Sequence, residues 1–475
     1  MADQDEASTY LTVEDGDAFW LIFGTVLVFF MQAGFAMMEA GSVDTDRIGR
    51  VLLKNIFDTS IAAIMWWLCG FAFANGTDAF KRTGLNGFIG GSGFMYENEG
   101  SGEDASPLTG TSFGKTYNKA LWQFQWAFAG VAATIVSGAV GGRCTLEAYL
   151  AYTTLLSGIV YPVIVHMTWD EDGFFSTHRE GRLLLGCGVV DFAGSGVVHL
   201  TGGCAALCVL PCLSSRRGRF ATTDEEARDF VEPHSLGIVF RALGAFILWF
   251  GWFGFNGVST ITLAHNAGLA AHAMMNTTLA ATASCCLTAA ISNIHKARGR
   301  VDVALSSDID DTNYPVNGII AGLVAITAGC AVVTHWGALC VGALAAGCYY
   351  GSSRLLISCG IDDVVDAIPI HASCGTLGVV ATAFFATEYY YKLAVDPDPA
   401  RAKRCRGVFY GGNGASLVAA LAYILTIVAW VVATIGFAFS ILHKCLKLVD
   451  WDRYAEKVSR FRCCLIRPKS RADLW

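Results

Sequence analysis

Charge is scarce along this chain. Only 15% of its 475 residues are Asp, Glu, Lys or Arg, while 54% are apolar and mean hydropathy is +0.47. That balance excludes a soluble globular domain, in which roughly a quarter of residues are charged. The net charge of −7 is spread over loops and tail with no long basic stretch, so nothing marks a nucleic-acid partner. Residues 1–16 include Asp3, Asp5, Glu6, Glu14 and Asp15 but no Lys or Arg. A cleavable signal peptide begins with a basic segment, so the first apolar run is expected to be retained. The 17 cysteines form no pair of C-x-x-C motifs at zinc-ligand spacing. Most, including Cys69, Cys187, Cys204, Cys208, Cys285, Cys286, Cys330, Cys340 and Cys348, lie in or beside apolar runs, where a thiol packs as a small hydrophobe. The expectation is no metal, no cofactor and no disulfide framework.

What the chain has instead is apolar blocks of about 20 residues, the length a helix needs to cross a hydrocarbon layer. They fall near 17–40, 52–74, 121–140, 147–167, 185–210, 236–257, 269–294, 315–334, 336–350, 367–388 and 413–442. The fold class expected is an all-α polytopic membrane protein with eleven transmembrane helices. An external segment 1–16 precedes a transmembrane domain 17–442, and a cytoplasmic tail 443–475 follows. With the amino terminus outside, 21 basic residues fall on the cytoplasmic side and 11 on the other, the bias of the positive-inside rule. The long loop 75–118 is then external and carries a formal sequon at Asn75.

Two segments share one pattern. Asp191 precedes His199 by eight residues and Gly203 follows it by four; Asp363, His371 and Gly375 repeat the spacing 172 residues later. Ionisable groups inside a span are costly and mark function. Spans five and ten would carry these histidines in opposite directions, as in two inverted five-helix repeats, about 17–210 and 236–388, followed by a final helix. Read as one helix, Asp191 lies about 12 Å from His199. That gap, with no serine or cysteine nucleophile beside the pair, argues against an enzyme. A second constellation is aromatic: Phe124 to Phe128 in span three, and Trp249 to Phe255 with Ser259 in span six. Such residues form an interfacial belt or hold a small cation by its attraction to ring faces.

With Gly34-Phe-Ala-Met-Met-Glu-Ala-Gly-Ser42, Leu53-Lys-Asn-Ile-Phe-Asp58, Gln125-Trp-Ala-Phe128, Asp191 to His199, Leu248 to Asn256 and Ile326 to Cys330 in order, the sequence resembles the ammonium transporter family, of the microbial and plant type rather than the Rhesus-like branch. The resemblance implies a homotrimer in a plasma membrane, each protomer with a narrow pore for ammonium, ammonia and methylammonium. It implies a recruitment site at Phe128, Trp169 and Ser259, a gate of Phe128 and Phe255, a proton path through His199 and His371, and structural or electrostatic roles for Asp191, Asp363 and Asp366. The ion would lose its proton at the mouth, ammonia would cross, and the proton would travel by the histidines. A neutral ammonia channel and an ammonium sensor with little flux are the alternatives. Three departures stand out. Ala372 replaces the Gly usual after the second histidine, which would narrow the pore. Arg143 lacks the usual Ala-Glu before it, and with it a carboxylate anchor. The tail lacks the family's Gly-x-Asp and His-Gly pattern, and its Cys463-Cys464 pair is a candidate for acylation.

Overall fold

A computed structural model describes residues 12–79, 87–96, 115–179, 183–216, 219–220, 236–298 and 308–443. The tail, with Cys463 and Cys464, and the acidic part of the long loop lie outside the described residues. The long helices, with short turns of wider or tighter pitch included, are α1 Val13–Ala40, α2 Thr45–Asn75, α3 Lys115–Val140, α4 Leu146–Trp169, α5 Ser195–Cys212, α6 Gly237–Thr260, α7 Ala267–Ala297, α8 Asp308–Ile326, α9 His335–Ser358, α10 Ile368–Phe385 and α11 Ala415–Ile441. Among the described residues, eight are long and apolar enough to cross a membrane: α1, α2, α4 to α7, α10 and α11. The protein is therefore an all-α polytopic membrane protein.

Helix ends follow local chemistry. Thr12 and Asp15 form a reciprocal cap at the start of α1, and Thr145 and Thr334 cap α4 and α9 by accepting from Ala148 N and Gly337 N, each satisfying an amide that lacks a helical partner. Close packing uses small residues. A side chain at Gly34 would lie 3.0 Å from Gly244 O, and one at Gly244 2.7 Å from Gly34 O, so α1 and α6 touch backbone to backbone.

The two halves share paired details. On α2, Lys54 Nζ donates to Cys144 O, one residue before the Thr145 cap, at 2.9 Å. On α7, His272 Nε2 donates to Val333 O, one residue before the Thr334 cap, also at 2.9 Å. Four residues further along each helix, Asp58 and Asn276 are both buried and hydrogen-bonded.

Two expectations are corrected. Span five does not begin near 185: residues 187–194 are not helical, and the helix starts at Ser195 after Gly194, whose φ of +105° is left-handed and costs glycine little. Asp191 and His199 therefore do not share a helix. Similarly, the eighth span ends at Ile326, and the ninth runs on to Ser358 rather than 350. The cysteine reading also fails at one place, because Cys187 is bonded to Cys405. Cys187 stands on the connection before α5 and Cys405 ends the short helix Pro399–Cys405 in the connection before α11, so neither lies in a long helix, and 218 residues of separation hid the pair.

Candidate functional site

Helices α3, α4 and α6, with Asn75 of α2, Leu269 of α7 and the connection that leads into α5, form an open vestibule of about 430 Å³. Its floor is Phe128, 1% exposed, whose ring stacks on Phe255 at 4.1 Å between centroids. Trp169 meets Phe128 edge-on at 6.0 Å and is held by its Nε1 donating to Asp191 O at 2.8 Å. Ser259 also lines the space, and its hydroxyl donates to Phe255 O at 2.7 Å. With its proton turned inward, the Ser259 oxygen is left with lone pairs to offer. The three residues named for recruitment thus share one chamber.

Asp191 caps α5. Its Oδ2 accepts from Gly196 N, Val197 N and the Tyr423 hydroxyl, each at 2.9 Å, while Oδ1 is buried without a hydrogen-bond partner. Asp363 repeats the cap on α10, accepting from Ile368 N at 2.7 Å. Burial and the nearby Asp366 push the Asp363 carboxyl up to about 7. Asp366 collects three donors, Asn317 Nδ2, the Tyr349 hydroxyl and Ser353 Oγ, at 2.7 to 3.1 Å.

The two caps aim wide helical turns, Ser195–Leu200 and Ile368–Ser373, at each other. Such turns recur at functional sites. His199 lies 5.4 Å beyond Phe255 and stacks against Trp252. Its Nδ1 is 3.2 Å from Nδ1 of His371, so one ring donates to the other. Both histidines are buried. The crossing is reciprocal: a side chain at Gly203 would strike Ala372 N at 2.2 Å, and one at Gly375 would lie 3.0 Å from Leu200 N. Each glycine packs on the residue after the other half's histidine, and the Ala372 methyl rests against Gly203. Beyond His371 a second cavity of about 20 Å³ opens toward the opposite face.

Charged groups frame both ends. At the vestibule, burial pushes the Asp170 carboxyl up to about 7, partly offset by the amide of Asp172. Burial likewise holds His178 below its ordinary value. Asn75, first residue of the sequon, lines the same vestibule. At the other end, Arg143 does find a carboxylate: Asp362, which Arg216 also grips at 2.7 and 2.9 Å. Burial would raise the Asp362 carboxyl, but these guanidinium groups hold it well below the usual range. Sequence reasoning missed Asp362 because its partners are far away in the chain, and missed Glu39, which lines the 20 Å³ cavity although it stands in a quoted motif.

Residues 18–459 match the profile of the Ammonium Transporter Family. The chain belongs to the ammonium transporter family. It is a family of transporters, not enzymes. Ammonium transporter 1 member 3 of Oryza sativa subsp. japonica is 37% identical over 434 residues, 90% of this chain and 80% of that one. Ammonium transporter Amt2 of Archaeoglobus fulgidus is 36% identical over 430 residues, 90% and 82% of the two chains. Among solved structures, a sensor Amt protein superimposes with a TM-score of 0.73 at 26% identity, covering 92% of this chain and 95% of that one. Mep2 of Saccharomyces cerevisiae gives 0.73 at 23% identity, over 91% and 87%, a likeness of fold alone.

Proposed function

We propose that this protein transports ammonium by splitting it into ammonia and a proton. The supporting observation is the line of contacts Phe128, Phe255, His199, His371, running from a 430 Å³ vestibule to a 20 Å³ cavity. Ammonium is recruited against the ring faces of Phe128 and Trp169, with the Ser259 oxygen accepting one hydrogen bond. Below that point the ring stack is closed and apolar, and the intact ion has no replacement for its hydration. Ammonia passes with a smaller desolvation cost. The proton moves through the hydrogen-bonded histidine pair, so each cycle carries one positive charge. Potassium is rejected because it has no proton to give up, whereas methylammonium passes more slowly because of its bulk.

The reading extends to architecture. Adding α3, α8 and α9 to the eight apolar helices gives eleven spans. The matched caps at Thr145 and Thr334, the pairs Lys54 and His272, Asp58 and Asn276, and the reciprocal crossing of Gly203 and Gly375 support two inverted five-helix repeats followed by α11. Orientation follows from two arguments. The basic residues favour an outer amino terminus, and the vestibule end of the molecule bears the Cys187 to Cys405 disulfide, a bond that persists in oxidising compartments. The start of α1 belongs to that end, where Asp17 Oδ1 accepts from Leu263 N and Ala264 N and Trp20 Nε1 donates to Thr260. The carboxyl terminus is therefore cytoplasmic in this reading, and the plasma-membrane location and trimeric assembly are carried over from the family resemblance. A tag after Trp475 is protected from external protease in intact cells under this reading; cleavage there overturns it.

An ammonium sensor is the second reading, favoured by the likeness to a sensor Amt protein. Solid-supported membrane recording with an ammonium pulse separates the two. Transport gives a saturable ammonium current, and a sensor gives a binding transient without sustained charge movement.

A further inference from the structure

The cavity beyond His371 contains a carboxylate that the transport scheme leaves unused. Glu39 stands one helical turn after Phe35 on α1 and is 2% exposed. The Phe35 ring is 6.4 Å from that of His371, and all three side chains line the same space. Glu39 Oε2 accepts from Ser137 Oγ of α3 at 2.8 Å, whereas Oε1 is buried without a hydrogen-bond partner. Asn55 of α2 is 5% exposed and its amide faces the Glu39 carboxylate and favours its charged form, although the two do not reach full hydrogen-bond geometry. The charged neighbours on α2 are Lys54 and Asp58. Both are engaged elsewhere, Lys54 with Cys144 O and Asp58 with Tyr149 and Thr153 of α4. Most of the remaining wall is apolar, including Met38, Leu248, Ile320 and Ile370. A space of about 20 Å³ takes one water-sized molecule. A buried carboxyl oxygen with no partner beside such a space is costly unless the group exchanges a proton there.

Building on the transport reading, we infer that Glu39 is the proton-exchange residue at the far end of the pore, taking the proton relayed by His199 and His371 and returning it to ammonia. The carboxylate gains one proton from the histidine pair across the single water that fits the cavity. The resulting carboxylic acid gives that proton to ammonia, which leaves as ammonium and restores the carboxylate. One ammonia and one proton enter, one ammonium leaves, and nothing is oxidised or reduced. With its nitrogen toward Glu39, the Asn55 amide oxygen offers the departing cation an acceptor.

The test compares wild type, Glu39→Gln and Glu39→Asp in proteoliposomes, recording ammonium-evoked current and internal pH. Glutamine keeps the shape and can still bond Ser137 but cannot carry a proton, so its current falls by ~100-fold or more, the low end for a positioned proton donor, while ammonia equilibration persists. Aspartate restores current with a shifted dependence on internal pH, because the same chemistry sits one methylene further from the cavity. If Glu39→Gln does not assemble, the aspartate variant decides alone: a current with an unshifted internal-pH profile overturns the inference. A wild-type current unchanged in Glu39→Gln overturns this role and leaves the transport reading intact. A wild type that equilibrates ammonia without any current overturns the proton path itself, and this inference with it.

Discussion

Replacing Asp191 separates folding from transport, because the side chain serves both. Its Oδ2 takes three hydrogen bonds, two from the first amides of α5 and one from Tyr423. In Asp191→Ala all three donors lose their acceptor, at about 1–3 kcal/mol for each buried unsatisfied group, so a loss of stability of about 3 kcal/mol or more is expected. Asp191→Asn keeps a carbonyl oxygen that can accept from the two amides. It forfeits only the strengthening that an ionised acceptor gives, about 1–2 kcal/mol. The negative charge has a second effect. A carboxylate ~6 Å from a cation contributes about 3 kcal/mol at an effective dielectric of 20, or ~100-fold. Asp191→Asn should therefore assemble normally, with a modest fall in thermal midpoint measured by fluorescence-detected size exclusion, yet lose ~100-fold or more of its ammonium current. Asp191→Ala should lose much of its assembled protein as well. Full current in a well-assembled Asp191→Asn protein would refute the electrostatic role and leave the side chain as a helix cap alone.

Phe128→Ala and Ser259→Ala should each raise the ammonium concentration for half-maximal current more than they change its maximum, since a cation over an aromatic face gains about 0.5–2 kcal/mol; unchanged concentration dependence in both would return these residues to packing. At the vestibule, Asp170 is charged above about 7 and neutral below it. Apparent ammonium affinity should then weaken as external pH falls through 7, by roughly two- to fivefold for a partly exposed charge. Asp170→Asn should flatten that dependence, and a pH profile identical to wild type would remove Asp170 from recruitment.

The membrane class and the sites of most helices could be read from the sequence, because both rest on hydrophobic runs and local caps. The family could be read from motifs in order. Phe128, Trp169, Ser259, Phe255, His199 and His371, named from separate stretches, are neighbours in space. What escaped was set by backbone geometry or distant pairing. Asp191 looked like a helical residue because 185–210 is a long, mostly apolar run, although Gly194 was the available sign of a break and Asp a natural cap. Arg143 looked unanchored because its carboxylate, Asp362, lies 219 residues away. Cys187 looked like packing for the same reason. Glu39 was passed over because a carboxylate within a motif says nothing of the cavity it faces until α3 and α10 are placed beside it.

The central claim is that the proton and ammonia cross separately, and the paired histidines carry it. The decisive measurement is current in proteoliposomes holding His199→Ala/His371→Ala protein under matched ammonium and potassium gradients, with internal pH recorded together. Wild type should show a saturable current selective for ammonium. The double variant should lose that current while ammonia still equilibrates through the emptied site. A double variant with wild-type ammonium current, unchanged selectivity and unchanged proton coupling would contradict the account and leave His199 and His371 as structural groups.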